Sequence, residues 1–527
     1  MDDGQRRHEP HQSNPEREVE NLRRLIALIA TLAVIAVGLG GCMFGKQEPE
    51  SVNEINLPEP TEEPANMILG ETLSNSLSEI TLYFSSQDGT SFSTVTRGML
   101  IEAGQSIPEA AVSALLHSGE DRGARAIGDS QVLSCEYACG TVTVNLSIDA
   151  RNVQNPQELL ALETSIGNTL LGIRGVRGAN VLIGNLSESY CQLPLGVQTE
   201  QIASVTASYA QLQAERDRAS QEDAEPLSRW ALLYFPTATG DWLVPELRKI
   251  SAQSDGFITA LIDALKDGPQ QEACAIPSIP EGVDLLEENP TIQTLANGER
   301  ALDLNFSSTL ANYLAFSGLD IWELAGSLTL TMCSFLPELD VVRIMVNGDP
   351  ITMCNLGDNI LEFPGGRIHR RDFTGRIGST ATLYLVDDEG TLQPVQRAVS
   401  MRSALSPRSL LSELIRYGGG EGSLRFPVPD AVSPEDILGV QTAAGIARVN
   451  LSGNFYRCCQ ALSPREERSL VYAMVNTLCQ LAGVRGVRFY VEGRAADTLA
   501  GGIYLKSVLL PNPGIVAPAA SAAPPSE

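Results

Sequence analysis

The chain has 527 residues, 43% of them hydrophobic and 19% charged, and its 64 acidic against 37 basic side chains leave a net charge of −27. At about 100–200 residues per domain this length calls for several cores, and the composition is that of a folded chain rather than a disordered one. The acidic balance argues against nucleic acid or an anionic surface as the main partner.

Leu25 to Gly41 is a 17-residue run without a charge, preceded directly by Arg23 and Arg24. That is the layout of a signal sequence or membrane anchor whose arginines stay inside. The run ends in Leu39-Gly40-Gly41-Cys42, which resembles a lipobox, the signal at which bacteria attach diacylglycerol to a cysteine thiol and cleave before it. Residues 1–42 are therefore expected to be a cytoplasmic or signal segment with an apolar anchor, and Cys42 the lipidated residue. An uncleaved transmembrane helix is the alternative, because 17 residues lie at the short end of a bilayer span and the segment before them is long for a secretory leader. Both readings put the rest of the chain on the extracytoplasmic side of the cell membrane. Residues 43–78, rich in Glu, Pro, Asn and Ser, read as a disordered spacer.

Beyond the spacer one pattern occurs three times. Each copy opens with a β-type run, Ile80–Phe84, Leu232–Phe235 and Ala381–Leu385, followed by a turn signal at Asp88-Gly89, Gly240-Asp241 and Glu389-Gly390. The next strand carries an arginine 13 or 14 positions after the tyrosine: Arg97, Arg248 and Arg397. A helix-period segment comes next, with Ala111, Leu115 and Leu116, then Phe257, Leu261 and Leu265, then Leu410, Leu414 and Ile415, and each stops at glycine. A further strand closes on Asn-apolar-Ser at Asn145, Asn305 and Asn450. These asparagines read as structural, accepting backbone N–H bonds where the following helical region starts. A second helix, around 158–171, 321–335 and 463–481, and a last strand at 179–183, 341–346 and 487–491 complete the copy.

The fold class expected is α+β: three tandem small α/β sandwich domains after the anchor, each a sheet covered by two helices in the rough order β-β-α-β-α-β. The boundaries are 79–190 for domain 1, 191–227 for a helical linker, 228–352 for domain 2, 353–378 for a linker, 379–497 for domain 3, and 498–527 for a C-terminal extension and disordered tail.

The second copy reads Leu-Leu-Tyr-Phe-Pro (232–236), Leu-Val-Pro-Glu-Leu-Arg (243–248), Ala-Leu-Lys-Asp-Gly-Pro (264–269), Ile-Pro-Glu-Gly-Val (279–283), Leu-Asn-Phe-Ser-Ser (304–308) and Val-Asn-Gly-Asp-Pro (346–350). In that order and spacing it closely resembles the GerMN domain, the sporulation and spore-germination domain of bacterial GerM lipoproteins. The third copy fits more loosely, with Phe426-Pro427-Val428-Pro429 in place of the Ile-Pro-Glu-Gly segment. The first is the most divergent, lacking the proline turn. The resemblance implies a lipid-anchored protein that interacts rather than catalyses, with domains related to the ring-building modules of the sporulation channel. Family members usually carry one or two such domains, so a third is a departure.

Little in the exported part suits catalysis. Only His117 and His369 lie outside the anchor region, too few for a Ser-His-Asp or Cys-His site. Cys135/Cys139 and Cys458/Cys459 have no nearby histidine or second CxxC, so neither a metal nor a cofactor is expected. Cys135 and Cys139 are a candidate disulfide, with free thiols the alternative. The repeated arginines could bind carboxylates of peptidoglycan or of a partner, or make ion pairs within their own domains. The expected function is a non-catalytic, membrane-tethered structural or interaction lipoprotein, with envelope or sporulation proteins as partners. A cell-wall peptidoglycan-binding module is the alternative.

Overall fold

The computed structural model describes residues 70–517, apart from 74–75, 102–104, 118–129, 153–154, 220, 222–224, 272, 288–289, 358, 417–423 and 482. Cys42, the apolar run and most of the expected spacer lie outside the described residues. No helix among the described residues is long and apolar enough to cross a membrane.

The end of the expected spacer is a strand. β1 (Gly70–Leu73) pairs in parallel with a strand of the third segment, Gly70 opposite Gly439 and Leu73 opposite Thr442. One element order then runs three times. In the first segment β2 (Ser76–Ser85) and β3 (Phe92–Ile101) form a long hairpin and α1 (Ile107–His117) follows. Next come a second hairpin, β4 (Val132–Ala138) and β5 (Thr141–Leu146), then α2 (Pro156–Leu171) and β6 (Gly178–Ile183). After α3 (Val205–Ala219), the second segment repeats this with β7 (Leu227–Pro236), β8 (Leu243–Ala252), α4 (Phe257–Asp267), β9 (Ile292–Thr294), β10 (Arg300–Phe306), α5 (Ile321–Phe335) and β11 (Val341–Val346), and adds β12 (Ile368–His369). The third has β13 (Gly378–Val386), β14 (Leu392–Ser400), α6 (Pro407–Arg416), β15 (Ile437–Ala443), β16 (Ile446–Leu451), α7 (Pro464–Leu478) and β17 (Gly486–Val491).

Local chemistry starts the second helix of each segment. Asn155 Oδ1 accepts from Glu158 N at 2.9 Å ahead of a proline at the first helical position. Glu323 Oε2 accepts from Asp320 N, and Ser463 and Glu466 exchange a reciprocal pair of bonds. Polar side chains thus take up N–H groups that no helical carbonyl can reach.

The sheet differs from the expected one. Each segment has a second hairpin in its middle, and the two hairpins belong to separate sheets. β2–β3, β7–β8 and β13–β14 are two-stranded antiparallel ribbons, whereas β5–β6, β10–β11 and β16–β17 are parallel pairs joined across the second helix. That helix packs on the long hairpin and on the last strand alike.

The hairpin register explains the arginine spacing. Arg97, Arg248 and Arg397 stand opposite Ile80, Ala231 and Ala381, in each case three residues before the tyrosine. The connecting loops are 86–91, 237–242 and 387–391, so the third copy is one residue shorter in the loop alone. On the same strand the tyrosine N–H points at the second helix and donates to a threonine hydroxyl: Tyr83 to Thr169 at 3.0 Å, Tyr234 to Thr331 at 3.1 Å and Tyr384 to Thr477 at 3.1 Å. All three threonines are fully buried. A strand edge that another strand would otherwise pair is met here by a helix side chain.

Three cores follow, one per segment. The expected linkers are parts of them. Val205 and Leu212 of α3 pack in the first core, and Cys354, Phe363, Ile368, Phe373 and Ile377 in the second. Leu505 and Leu509 pack in the third, and the chain stays packed through Val516, so residues 511–517 are not a loose tail. Each segment therefore ends in a strap lying antiparallel to its last strand: Gln198 opposite Ala179, Ile368 opposite Val342, Leu509 opposite Val487. Two straps are held in the same way. Asn168 takes the N–H and C=O of Ile202, and Asn476 takes those of Asn512, each asparagine directly preceding the buried threonine. The Gln198 side chain lies directly over Gly167, where a Cβ would come 2.0 Å from its Oε1 and displace the amide.

Thr331→Val keeps the shape but leaves the buried Tyr234 N–H without an acceptor. It should lower unfolding free energy in urea by about 1–3 kcal/mol. An unchanged midpoint would show that the hydroxyl is dispensable.

Candidate functional site

The three asparagines sit at one structural position, though not at the start of the following helix. Asn145 Oδ1 accepts from Asn185 N at 2.8 Å, Asn305 Oδ1 from Gly348 N at 2.9 Å, and Asn450 Oδ1 from Gly493 N at 2.8 Å. Each ties the middle strand to the turn that follows the last strand. The serine two residues on caps a helix only in the third segment, where Ser452 Oγ accepts from Phe455 N.

Arg248 is buried, paired with Glu246, and donates to Ala264 O and Gly268 O at the end of α4 while lying over the Phe235 ring. It closes the helix end within its own segment. Arg97 and Arg397 are half-buried in the same register; the stretches after their helices, 118–129 and 417–423, lie outside the described residues.

Neither Cys135 nor Cys139 is in a disulfide. Cys135 lies in β4 and the strand runs extended to Ala138, one residue before Cys139, so the two are separated by roughly 10 Å or more, beyond the reach of a disulfide. Burial pushes the Cys135 thiol up to about 12. Cys139, with φ +50°, instead forms with Gly140 a tight turn at the tip of the β4–β5 hairpin, and its N–H donates to Ser379 Oγ of the third segment. His117 Nδ1 lies 2.6 Å from Ser113 O, and His369 sits beside Glu299 and Asp372. Neither faces a nucleophile in these contacts. Among the described residues no group of three His, Cys, Asp or Glu could hold a metal ion.

One buried ion pair lies between segments. Arg370, only 2% exposed, donates through Nη1 to Glu136 Oε1 at 2.9 Å and through Nη2 to Glu136 Oε2 at 2.5 Å, while its Nε donates to Ser334 Oγ at 3.0 Å. Glu136 belongs to β4 of the first segment; Arg370 and Ser334 belong to the strap and α5 of the second. Around the pair, Asn180 Nδ2 donates to Ser334 O, Glu338 N to Ser187 O, and Val197 N to Trp230 O. The sequence marks Arg370 only as a neighbour of His369. A single charged residue in a presumed linker carries no sign that it will be buried.

A second buried carboxyl stands near this joint. Glu163 on α2 faces Tyr190 and Glu188, and Glu188 pairs with Arg151. Burial first, and the like charge of Glu188 second, raise the Glu163 carboxyl well above its ordinary 4.5.

Between the first and third segments runs a cleft of about 1170 Å³. Its walls are the same pieces taken twice: the start of the long hairpin (78–81 and 379–382) and the stretch between the second helix and the last strand (172–177, and 479–481 with 483–485). Gln271 enters it from the second segment.

A fold of repeated hairpin–helix–hairpin–helix–strand units, each closed by its own strap, defines an α+β protein of tandem domains. Residues 232–352 and 382–497 match the model of the family described as Germane: Sporulation and spore germination. The second and third segments thus carry domains of that sporulation and germination family, which is not a known enzyme family. Solved structures similar to it, each 18% identical, include the tandem GerMN domains of the sporulation protein GerM from Bacillus subtilis (56% of this chain, 99% of that one, TM-score 0.23) and the first GerMN domain of the same protein (25% and 96%, TM-score 0.20). A lipoprotein from Clostridium perfringens is similar over 28% of this chain and 97% of that one, with a TM-score of 0.14. No curated protein matches the chain.

Because folded Glu163 keeps a proton that the unfolded chain releases, its contribution weakens stability as pH rises from 4.5 toward its raised value. Glu163→Gln should therefore flatten the fall in melting temperature between mildly acidic and mildly alkaline pH and melt higher than the parent at pH 8. Parallel pH profiles for the two proteins would contradict this.

Proposed function

We propose that the chain is a non-catalytic, membrane-tethered interaction protein of sporulation or spore germination, held on the extracytoplasmic side through lipidated Cys42. On this reading residues 76–203 form a third domain of the same family. The observation that supports a third domain most directly is that the first segment repeats both signature bonds of the matched segments, Tyr83 N to Thr169 Oγ1 and Asn145 Oδ1 to the turn after the last strand. A family role in sporulation or germination, the lipobox-like Leu39–Cys42 and the small supply of histidines all favour display of surfaces over chemistry. Envelope or sporulation proteins are the partners this reading calls for. The cleft favours a second reading, binding of peptidoglycan fragments.

Proximity labelling from the tethered protein in living cells, during growth and during sporulation, tests the first reading. Envelope proteins should be enriched in at least one state, and the mature amino terminus should be a modified Cys42 by mass spectrometry. Enrichment of no envelope protein in either state would sink the scaffold, and an intact Met1–Gly41 segment would sink lipobox cleavage.

A further inference from the structure

The loop entering the last strand reads Gly175-Val176-Arg177-Gly178 in the first segment and Gly483-Val484-Arg485-Gly486 in the third. The second segment has Glu338-Leu339-Asp340-Val341 at the same place. The backbone is alike in both arginine-bearing loops: Arg177 N donates to Gly140 O and Arg485 N to Gly445 O, each at 2.7 Å. Those glycines follow Cys139 and Ala444 in two-residue turns with both φ angles positive, and each arginine lies flat across its glycine. A Cβ at Gly140 or at Gly445 would come within 2.8 Å of the guanidinium Nε. Arg177 is steadied further, because Nη2 donates to Cys139 O at 2.6 Å.

Two arginines thus lie over equivalent glycines, with the guanidinium of Arg177 also bonded to Cys139 O; both line the cleft between the first and third segments, and both are exposed to solvent. Arg174 joins them, and Glu79 is the one acidic residue among the lining side chains, so the lining carries three positive charges and one negative. The whole chain carries −27. A concave site of the opposite sign to its protein selects anions, and guanidinium groups held in place bind carboxylates through paired N–H bonds. The remaining polar lining is already partly engaged: Thr81 Oγ1 meets Thr96 Oγ1, Gln396 Nε2 donates to Thr382 Oγ1 and Gln480 Nε2 to the Tyr384 hydroxyl, which leaves the two amide oxygens and the second amide N–H of each glutamine to pair with peptide bonds.

We propose that this cleft binds an extended acidic peptide, with Arg177 and Arg485 each receiving one of its carboxylates. The peptide could belong to an acidic stretch of a partner protein or to the stem peptide of the cell wall; the recognition chemistry is common to both. The cell-wall source rests on the second reading above, whereas the peptide chemistry depends neither on the lipid tether nor on sporulation, so it can fail while the scaffold stands, and the reverse.

Calorimetric titration of the full exported chain with a synthetic Glu-rich octapeptide, and separately with purified muropeptides bearing free carboxylates, tests the proposal. Saturable binding is expected in at least one arm, lost when the carboxylates are amidated and weakened by salt. Arg177→Gln and Arg485→Gln should each weaken it about tenfold, and Glu79→Gln should strengthen it. Circular dichroism and melting of each variant exclude misfolding as the cause of a loss. Binding confined to the octapeptide arm identifies a protein partner as the source, and binding confined to the muropeptide arm identifies the wall. No saturable binding in either arm, binding indifferent to both arginines, or tighter binding of an inorganic polyphosphate than of either peptide would overturn the proposal.

Discussion

The arrangement of the three segments depends on an ion pair withdrawn from water. Arg370 and Glu136 are both buried and meet through two parallel N–H···O bonds, with Ser334 taking the remaining Nε donor. Burying two such charges costs several kcal/mol each and is repaid only by near-ideal geometry, so a pair of this kind specifies an arrangement more than it stabilises one. Leaving either charge alone in the joint would cost about 3–5 kcal/mol. Glu136 sits on the strand whose tip, Cys139, bonds Ser379 of the third segment, so this one hairpin touches both of the other segments.

Within each segment a smaller constraint recurs. A strand tyrosine presents its N–H to a buried threonine on the second helix, and a strand asparagine closes the last turn. With those donors satisfied, the long hairpin needs no further strand at that point, and the helix can lie against both sheets. The straps complete the packing by covering each last strand.

Much of this was legible in the sequence. The β-type runs at Ile80–Phe84 and Leu232–Phe235 marked the hairpins, and the near-constant tyrosine-to-arginine interval reflected a shared register, with the odd residue absorbed in a loop. The asparagines stood out by recurrence, although their target across the sheet did not. What stayed hidden depends on pairing at long range. Thr169, Thr331 and Thr477 look like ordinary helix residues until a strand N–H arrives opposite them. Residues 191–203, 353–377 and 498–517 lack strong periodicity and so resembled linkers, although the shared Asn-Thr-Leu at 168–170 and 476–478 marks where two straps attach. The cleft was least visible of all, since its arginines become neighbours only when the first and third segments meet.

A chain of separable beads and a single joined body would present their surfaces very differently, and differential scanning calorimetry separates them. One cooperative transition spanning all three segments is expected, and Arg370→Met should split it by releasing the first segment to melt alone. Three independent transitions in the parent protein, or an Arg370→Met profile identical to the parent's, would contradict the account.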